Sequence, residues 1–132
     1  MAKKPFILVT NDDGIHAGGL RELVDVMQFF GDVVVISSEV PMSGKACSIT
    51  VDQPLRATPV EKIHGVATYK SNGTPVDSVK LSFNHLFERS PDFVVSGINH
   101  GANSSISVIY SGTMGAAIEG SLHGVPSIGF SL

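Results

Sequence analysis

The residues of this chain with the clearest chemical potential are Asp12 and Asp13, adjacent carboxylates that follow Phe6-Ile7-Leu8-Val9-Thr10-Asn11 and precede Gly14. Two neighbouring carboxylates repel, and each favours protonation of the other unless a cation is shared between them. A hard divalent ion, Mg²⁺ or Mn²⁺, resolves that conflict, because such ions prefer oxygen ligands. The same residues also make a plain solvated Asp-Asp-Gly turn. Which reading holds depends on what else reaches the same place. Phe6 to Val9 is an unbroken apolar run containing β-branched Ile7 and Val9, the pattern of a strand buried on both faces. In open parallel α/β sheets ligands bind outside the carboxyl ends of the strands, and the acid pair stands at such an end.

Other strand ends converge on it. From Gly18 to Phe30, Leu20, Leu23, Val24 and Met27 recur at helical spacing with Arg21, Glu22 and Asp25 off the stripe, and Gly31-Asp32 ends the helix. Val33 to Ser38 follows as a second buried strand, so the opening segment predicts a right-handed βαβ unit. The loop Glu39 to Cys47, marked by Pro41 and Ser43-Gly44, leaves the carboxyl end of that strand. Ser43 is either a turn serine or a neighbour of the acid pair. Residues 48–71 predict short strands or a hairpin, confined to an edge by Pro54 and Pro59, with no recognisable chemistry. Thr74 as N-cap and Pro75 at the first helical position open a second helix, with Val76, Val79, Phe83 and Leu86 on its buried face and Ser90-Pro91 as its stop. Asp92 to Asn99 reads as a third core strand, with Asn99 at its carboxyl end. Asp12, Asp13, Ser43 and Asn99 then form an all-oxygen set suited to one hard cation, which favours the metal reading over the plain turn.

Tyr110-Ser111-Gly112-Thr113 opens a last helix, with an expected buried stripe of Met114, Ala117, Ile118, Ser121 and Leu122 and small residues at Gly115 to Ala117 for close packing. Its N-terminus offers free N–H groups, two hydroxyls and the positive end of the helix dipole, an anion site, while Ser111 reads equally well as a simple cap. Gly124-Val125-Pro126 closes this helix, and Ser127 to Leu132 predicts a fourth strand. His16 stands near the acid pair and His100 beside Asn99. His64, His85 and His123 lack ligand spacing.

Composition bounds the rest. The 132 residues suit one domain spanning 1–132, and 42% apolar with 16% charged residues fits a globular protein with a buried sheet. A net charge of −3 argues against stable nucleic-acid binding, yet leaves room for a small phosphorylated ligand. Cys47 is the only cysteine, which excludes an intramolecular disulfide. No signal-peptide core and no membrane-length apolar run is present, so a cytoplasmic protein without membrane partners is expected.

The motif blocks resemble the survival-protein SurE family of metal-dependent nucleotidases. They are Asn11-Asp12-Asp13-Gly14-Ile15-His16-Ala17, Ser43-Gly44, Gly73-Thr74-Pro75, Val95-Ser96-Gly97-Ile98-Asn99-His100-Gly101-Ala102-Asn103, Ile109-Tyr110-Ser111-Gly112-Thr113 and Ala116-Ala117-Ile118-Glu119-Gly120, in order across nearly the whole chain. The resemblance implies a Rossmann-like three-layer α/β/α fold with a mostly parallel sheet and an inserted β-hairpin. It implies a hydrolase of acid-phosphatase type that cleaves nucleoside 5′- and 3′-monophosphates, and in some members short polyphosphate. By position it puts one divalent ion (Mg²⁺ or Mn²⁺) on Asp12, Asp13, Ser43 and Asn99, with Asp12, Asp13 and Asn99 as the catalytic residues. Phosphate and substrate contacts fall on Asn11, Gly44, Asn103, Ser111, Gly112 and Thr113. Full-length members are expected to form homodimers or tetramers. The chain departs from the pattern at Ser104-Ser105-Ile106-Ser107, where members usually carry a glycine, and its length is that of an N-terminal portion. Two other readings compete: a folded, metal-binding but inactive fragment, and a receiver-type signalling domain. The second needs a phospho-accepting Asp where this chain has Asn99.

Overall fold

Phe6–Thr10 forms β1, and its neighbours in sequence follow the expected alternation of strand and helix: α1 (Gly18–Met27), β2 (Asp32–Ser38), β3 (Ala57–Pro59), β4 (Ala67–Ser71), α2 (Pro75–Phe83), β5 (Phe93–Asn99), α3 (Gly112–Leu122) and β6 (Ser127–Ser131). The structure, a computed structural model, describes residues 4–39, 54–84, 86–99 and 112–131, with backbone alone at 99, 112–114 and 131. The strands make one six-stranded sheet in the order β3-β4-β2-β1-β5-β6. Every pairing is parallel except that of β3 with β4.

The strands alternate their side chains between two cores, as a sheet covered on both faces requires. Ile7, Val9, Val33, Val35 and Val95 pack with Leu20, Leu23 and Val24 of α1 on one face. Leu8, Val34, Ile36 and Val94 pack with Val79 of α2 and Ala116 of α3 on the other. The result is the expected three-layer, Rossmann-like α/β/α architecture. From β1 the chain runs outward to β2 and β4 on one side, then returns to place β5 and β6 on the other. The order therefore reverses between β1 and β5, and in open α/β sheets ligands bind at the carboxyl ends of the strands at such a reversal.

Several local expectations are met. Thr74 caps α2 in a reciprocal box: its hydroxyl accepts from the Asp77 N–H at 3.2 Å, and Asp77 Oδ2 accepts from the Thr74 N–H at 2.8 Å. Pro75 occupies the first helical turn. Pro59 ends β3 on the sheet's edge, where a missing donor costs least.

Others are corrected. The helix predicted to reach Phe30 ends at Met27, leaving Phe29 and Phe30 exposed. The second helix stops at Phe83 instead of running to Ser90, so Leu86 joins the core from beyond the helix. The inserted hairpin is not an appendage: β3 and β4 pair antiparallel, but β4 also lies parallel to β2 and extends the main sheet. The strand carrying Asn99 is thus the fourth parallel strand in chain order. The stripe expected on the last helix is displaced. Ile118 and Leu122 are exposed, while Gly115, Ala116, Ala117, Glu119 and Gly120 are buried. The cause is close approach to the sheet, since a Cβ on Gly120 would meet Ser127 Oγ and sit 2.9 Å from Val94 Cβ. Small residues, not large apolar ones, mark the packed face of α3. Among the described residues no helix is long and apolar enough to cross a membrane.

Candidate active site

The Asp12-Asp13-Gly14 turn leaves β1 at the reversal point of the sheet. Gly14 takes φ 94°, a left-handed conformation that a side chain would strain. Asn11 holds the turn from inside. Its Nδ2 donates to the Gly14 carbonyl at 2.8 Å, and its Oδ1 accepts a hydrogen bond from the Ser37 hydroxyl. The Ile15 N–H donates to the Ser38 carbonyl at 2.8 Å, a second tie to the end of β2. Asn11 is only 1% exposed. Expected among the substrate contacts, its side chain is instead turned inward, with its oxygen and its amide nitrogen both engaged within the protein. Ser37 was missed altogether. The available signal was a change in composition, because Val33-Val34-Val35-Ile36 gives way to two serines just where the strand reaches the acid turn.

Asp12 is buried, at 6% exposure, and its Oδ1 has no hydrogen-bond partner among the described residues. Burial first, and the neighbouring Asp13 charge second, push its carboxyl above the usual carboxylate range. Asp13 is half-buried beside it. Thr10 Oγ1 and Ser96 Oγ are likewise buried without a partner among the described residues, and these two residues face each other across the β1–β5 pairing. Unpaired buried oxygens are rare in folded proteins and need an explanation. A buried carboxylate oxygen with no partner among the described residues, next to a second carboxylate, suits a hard cation.

β5 runs alongside β1 and brings the backbone of Asn99 to the same carboxyl edge. α3, which packs against β5 and β6, begins at Gly112 and Thr113, two of the three residues of the expected anion site. Ser43, Gly44, Asn103 and Ser111 lie outside the described residues, as do Cys47, His85 and His100. Among the described residues no three His, Cys, Asp or Glu side chains converge. Among the described residues, Asp12 and Asp13 are the charged groups at this turn that could hold an ion. His16 is exposed, and His123 is engaged elsewhere, stacked on Phe83 and 2.9 Å from Glu119.

A doubly covered, mostly parallel sheet with paired acids at its reversal point defines a Rossmann-like α/β protein with an acidic centre. The family profile described as Survival protein SurE matches residues 7–132, and the chain belongs to that family. It is 51% identical over 130 residues to a 5′-nucleotidase SurE from Bacteroides fragilis, covering 98% of this chain and 51% of the relative. A 5′-nucleotidase SurE from Cytophaga hutchinsonii is 54% identical over 130 residues, covering 98% of this chain and 50% of that one. Among solved structures, the crystal structure of the SurE protein from Aquifex aeolicus superposes with a TM-score of 0.83 at 38% identity, covering 96% of this chain and 50% of that one. The chain thus spans about half the length of the curated relatives it matches.

Proposed function

We propose that the chain carries the catalytic centre of a metal-dependent phosphomonoesterase that hydrolyses nucleoside 5′- and 3′-monophosphates, with short polyphosphate as a further substrate. The observation that carries this reading is the buried Oδ1 of Asp12, unpaired among the described residues, beside Asp13 at the carboxyl end of β1. Relatives named 5′-nucleotidase SurE supply the substrate class. Asp12, Asp13, Ser43 and Asn99 would hold one Mg²⁺ or Mn²⁺, as the family resemblance implies. When bound, such an ion supplies positive charge against the phosphoryl oxygens and a more acidic water.

The chain's own residues supply position. The Asn11 bridge to Ser37 and Gly14 fixes the turn, so the carboxylates keep their place without waiting for substrate. The N-terminus of α3, with Ser111, Gly112 and Thr113, would bind the phosphate oxygens by free N–H groups and the helix dipole. Gly44 and Asn103 complete the substrate contacts in this reading. Asn11 acts through the turn and not on the substrate. A full-length protein of this kind would work in the cytoplasm as a homodimer or tetramer.

The test is phosphate release from adenosine and guanosine 5′- and 3′-monophosphates with Mg²⁺, with Mn²⁺ and with a chelator, for the chain and for Asp12→Asn. Release is expected with metal only, and from the wild type only. Release that survives the chelator, or that Asp12→Asn retains, overturns the metal reading. A chain that binds metal but releases nothing is the folded, inactive unit.

A further inference from the structure

A cavity of about 330 Å³ opens beside the acid turn, on the α1 side of the sheet. Ile15, the residue after Gly14, forms part of its wall and is bonded to the end of β2, so the cavity and the turn share one rigid support. Its apolar surface comes from Ile15, Val60 and Ile63; Ile15 and Ile63 are buried, at 6% and 2% exposure, and Val60 is partly so. Arg21 of α1 and Lys62 stand on its rim, and neither makes a hydrogen bond or ion pair among the described residues. Lys70 also lines it, 3.6 Å from the exposed carboxylate of Glu39. Glu61 adds a second acid.

The size lies at the lower end of small-molecule sites, which run from about 300 to about 1,000 Å³. The chemistry narrows the occupant. Arg21, Lys62 and Lys70 stand with Glu39 and Glu61 in one lining, so charge of both signs is on offer, and a purely apolar ligand would leave Arg21 and Lys62 unused. A flat ring bearing donors and acceptors uses both kinds of surface. Its face lies on aliphatic side chains or under a guanidinium, which stacks well on aromatic planes. Sugar hydroxyls and exocyclic amines donate to carboxylates, and ring nitrogens accept from Arg and Lys.

We propose that this cavity receives the base and ribose of the nucleotide while its phosphate lies at the acid turn. The assignment rests on the phosphomonoesterase reading, and its test is chosen so that the two can fail separately. Adenosine, adenosine 5′-monophosphate and inorganic phosphate are titrated calorimetrically, in the presence of Mg²⁺, into the chain and into Arg21→Ala and Lys62→Ala. Both positions are exposed, so neither change threatens the fold. The monophosphate is expected to bind wild type about ten-fold more tightly than inorganic phosphate, a difference of about 1.4 kcal/mol. Each substitution should shrink that ratio several-fold and weaken adenosine in parallel. An unchanged ratio in both variants overturns the proposal, as does a wild type that binds no adenosine. If inorganic phosphate fails to bind wild type, the phosphomonoesterase reading falls. The adenosine titrations still decide the cavity: binding that Arg21→Ala or Lys62→Ala weakens supports it, and binding indifferent to both removes it.

Discussion

At the scale of single residues, Asp12 carries an electrostatic cost that nothing among the described residues offsets. Its carboxylate is buried, has an oxygen without a partner among the described residues, and sits beside another acid. Its pKa is raised above the ordinary 3.8, by burial first and by Asp13 second. A folded state that holds a proton more tightly than the unfolded state loses stability as pH rises. The penalty is absent below the ordinary carboxylate value and complete above the raised one. Metal-free wild type should therefore lose thermal stability, relative to Asp12→Asn, as pH rises through that window. At neutral pH the variant should match or exceed the wild type, because neutralising one acid relieves both burial and repulsion. Melts in chelator from about pH 4 to about pH 8 check this. An Asp12→Asn midpoint clearly below wild type at neutral pH would contradict it.

At the scale of elements, the acid turn belongs to β1 but is held by β2. The Ser37 hydroxyl bonds Asn11, and the Ser38 carbonyl accepts from Ile15. Ser37→Ala would strand the Asn11 Oδ1 inside the protein without its donor, at a cost of about 1–3 kcal/mol in urea unfolding. Because Asn11 also bonds Gly14, the change should loosen the carboxylates themselves and weaken Mn²⁺ binding by calorimetry. Ser37→Thr, which keeps the hydroxyl, should restore much of both. A Ser37→Ala chain that loses stability but keeps full Mn²⁺ affinity would make this serine a structural residue only. The elements differ in how openly they declare themselves. α2 is announced by Thr74-Pro75 and capped as expected, since capping depends on residues three apart. α3 hides its packed face, because glycine and alanine carry no amphipathic signal of their own.

At the scale of the whole molecule, the two faces of the sheet are unequally covered. On the α1 side, Val26, Phe30, Ile128 and Phe130 are 51%, 64%, 47% and 41% exposed. They border a cavity of about 470 Å³ whose walls include Ile7, Met27, Phe93 and Val95. β6 is also an edge strand among the described residues. An apolar groove next to an open strand edge favours association. Light scattering over a dilution series should show the mass of the 132-residue chain rising with concentration, and Phe30→Glu should reduce that rise. A monomer of constant mass across the series would show that this groove tolerates water.

Local patterns in the chain were enough to determine the strands and most of the helices. Runs such as Phe6 to Val9 and Val33 to Ile36 can only be buried on both faces, and the stripe from Leu20 to Met27 has one period. The strand-end rule then assigns Asp12, Asp13, Ser43 and Asn99 to one edge, an expectation that for Ser43 falls outside the described residues. Only the tertiary structure decided what those residues meet. The bond from Ser37 to Asn11 joins positions 26 apart, and no periodicity within either strand encodes it. The burial that raises Asp12, the joining of β4 to β2, and the cavity shared by Arg21, Lys62 and Ile63 depend in the same way on segments distant in sequence. A local pattern reports which face of a segment avoids water. The partner waiting on that face, and the polar atom left without one, are settled only when the layers close.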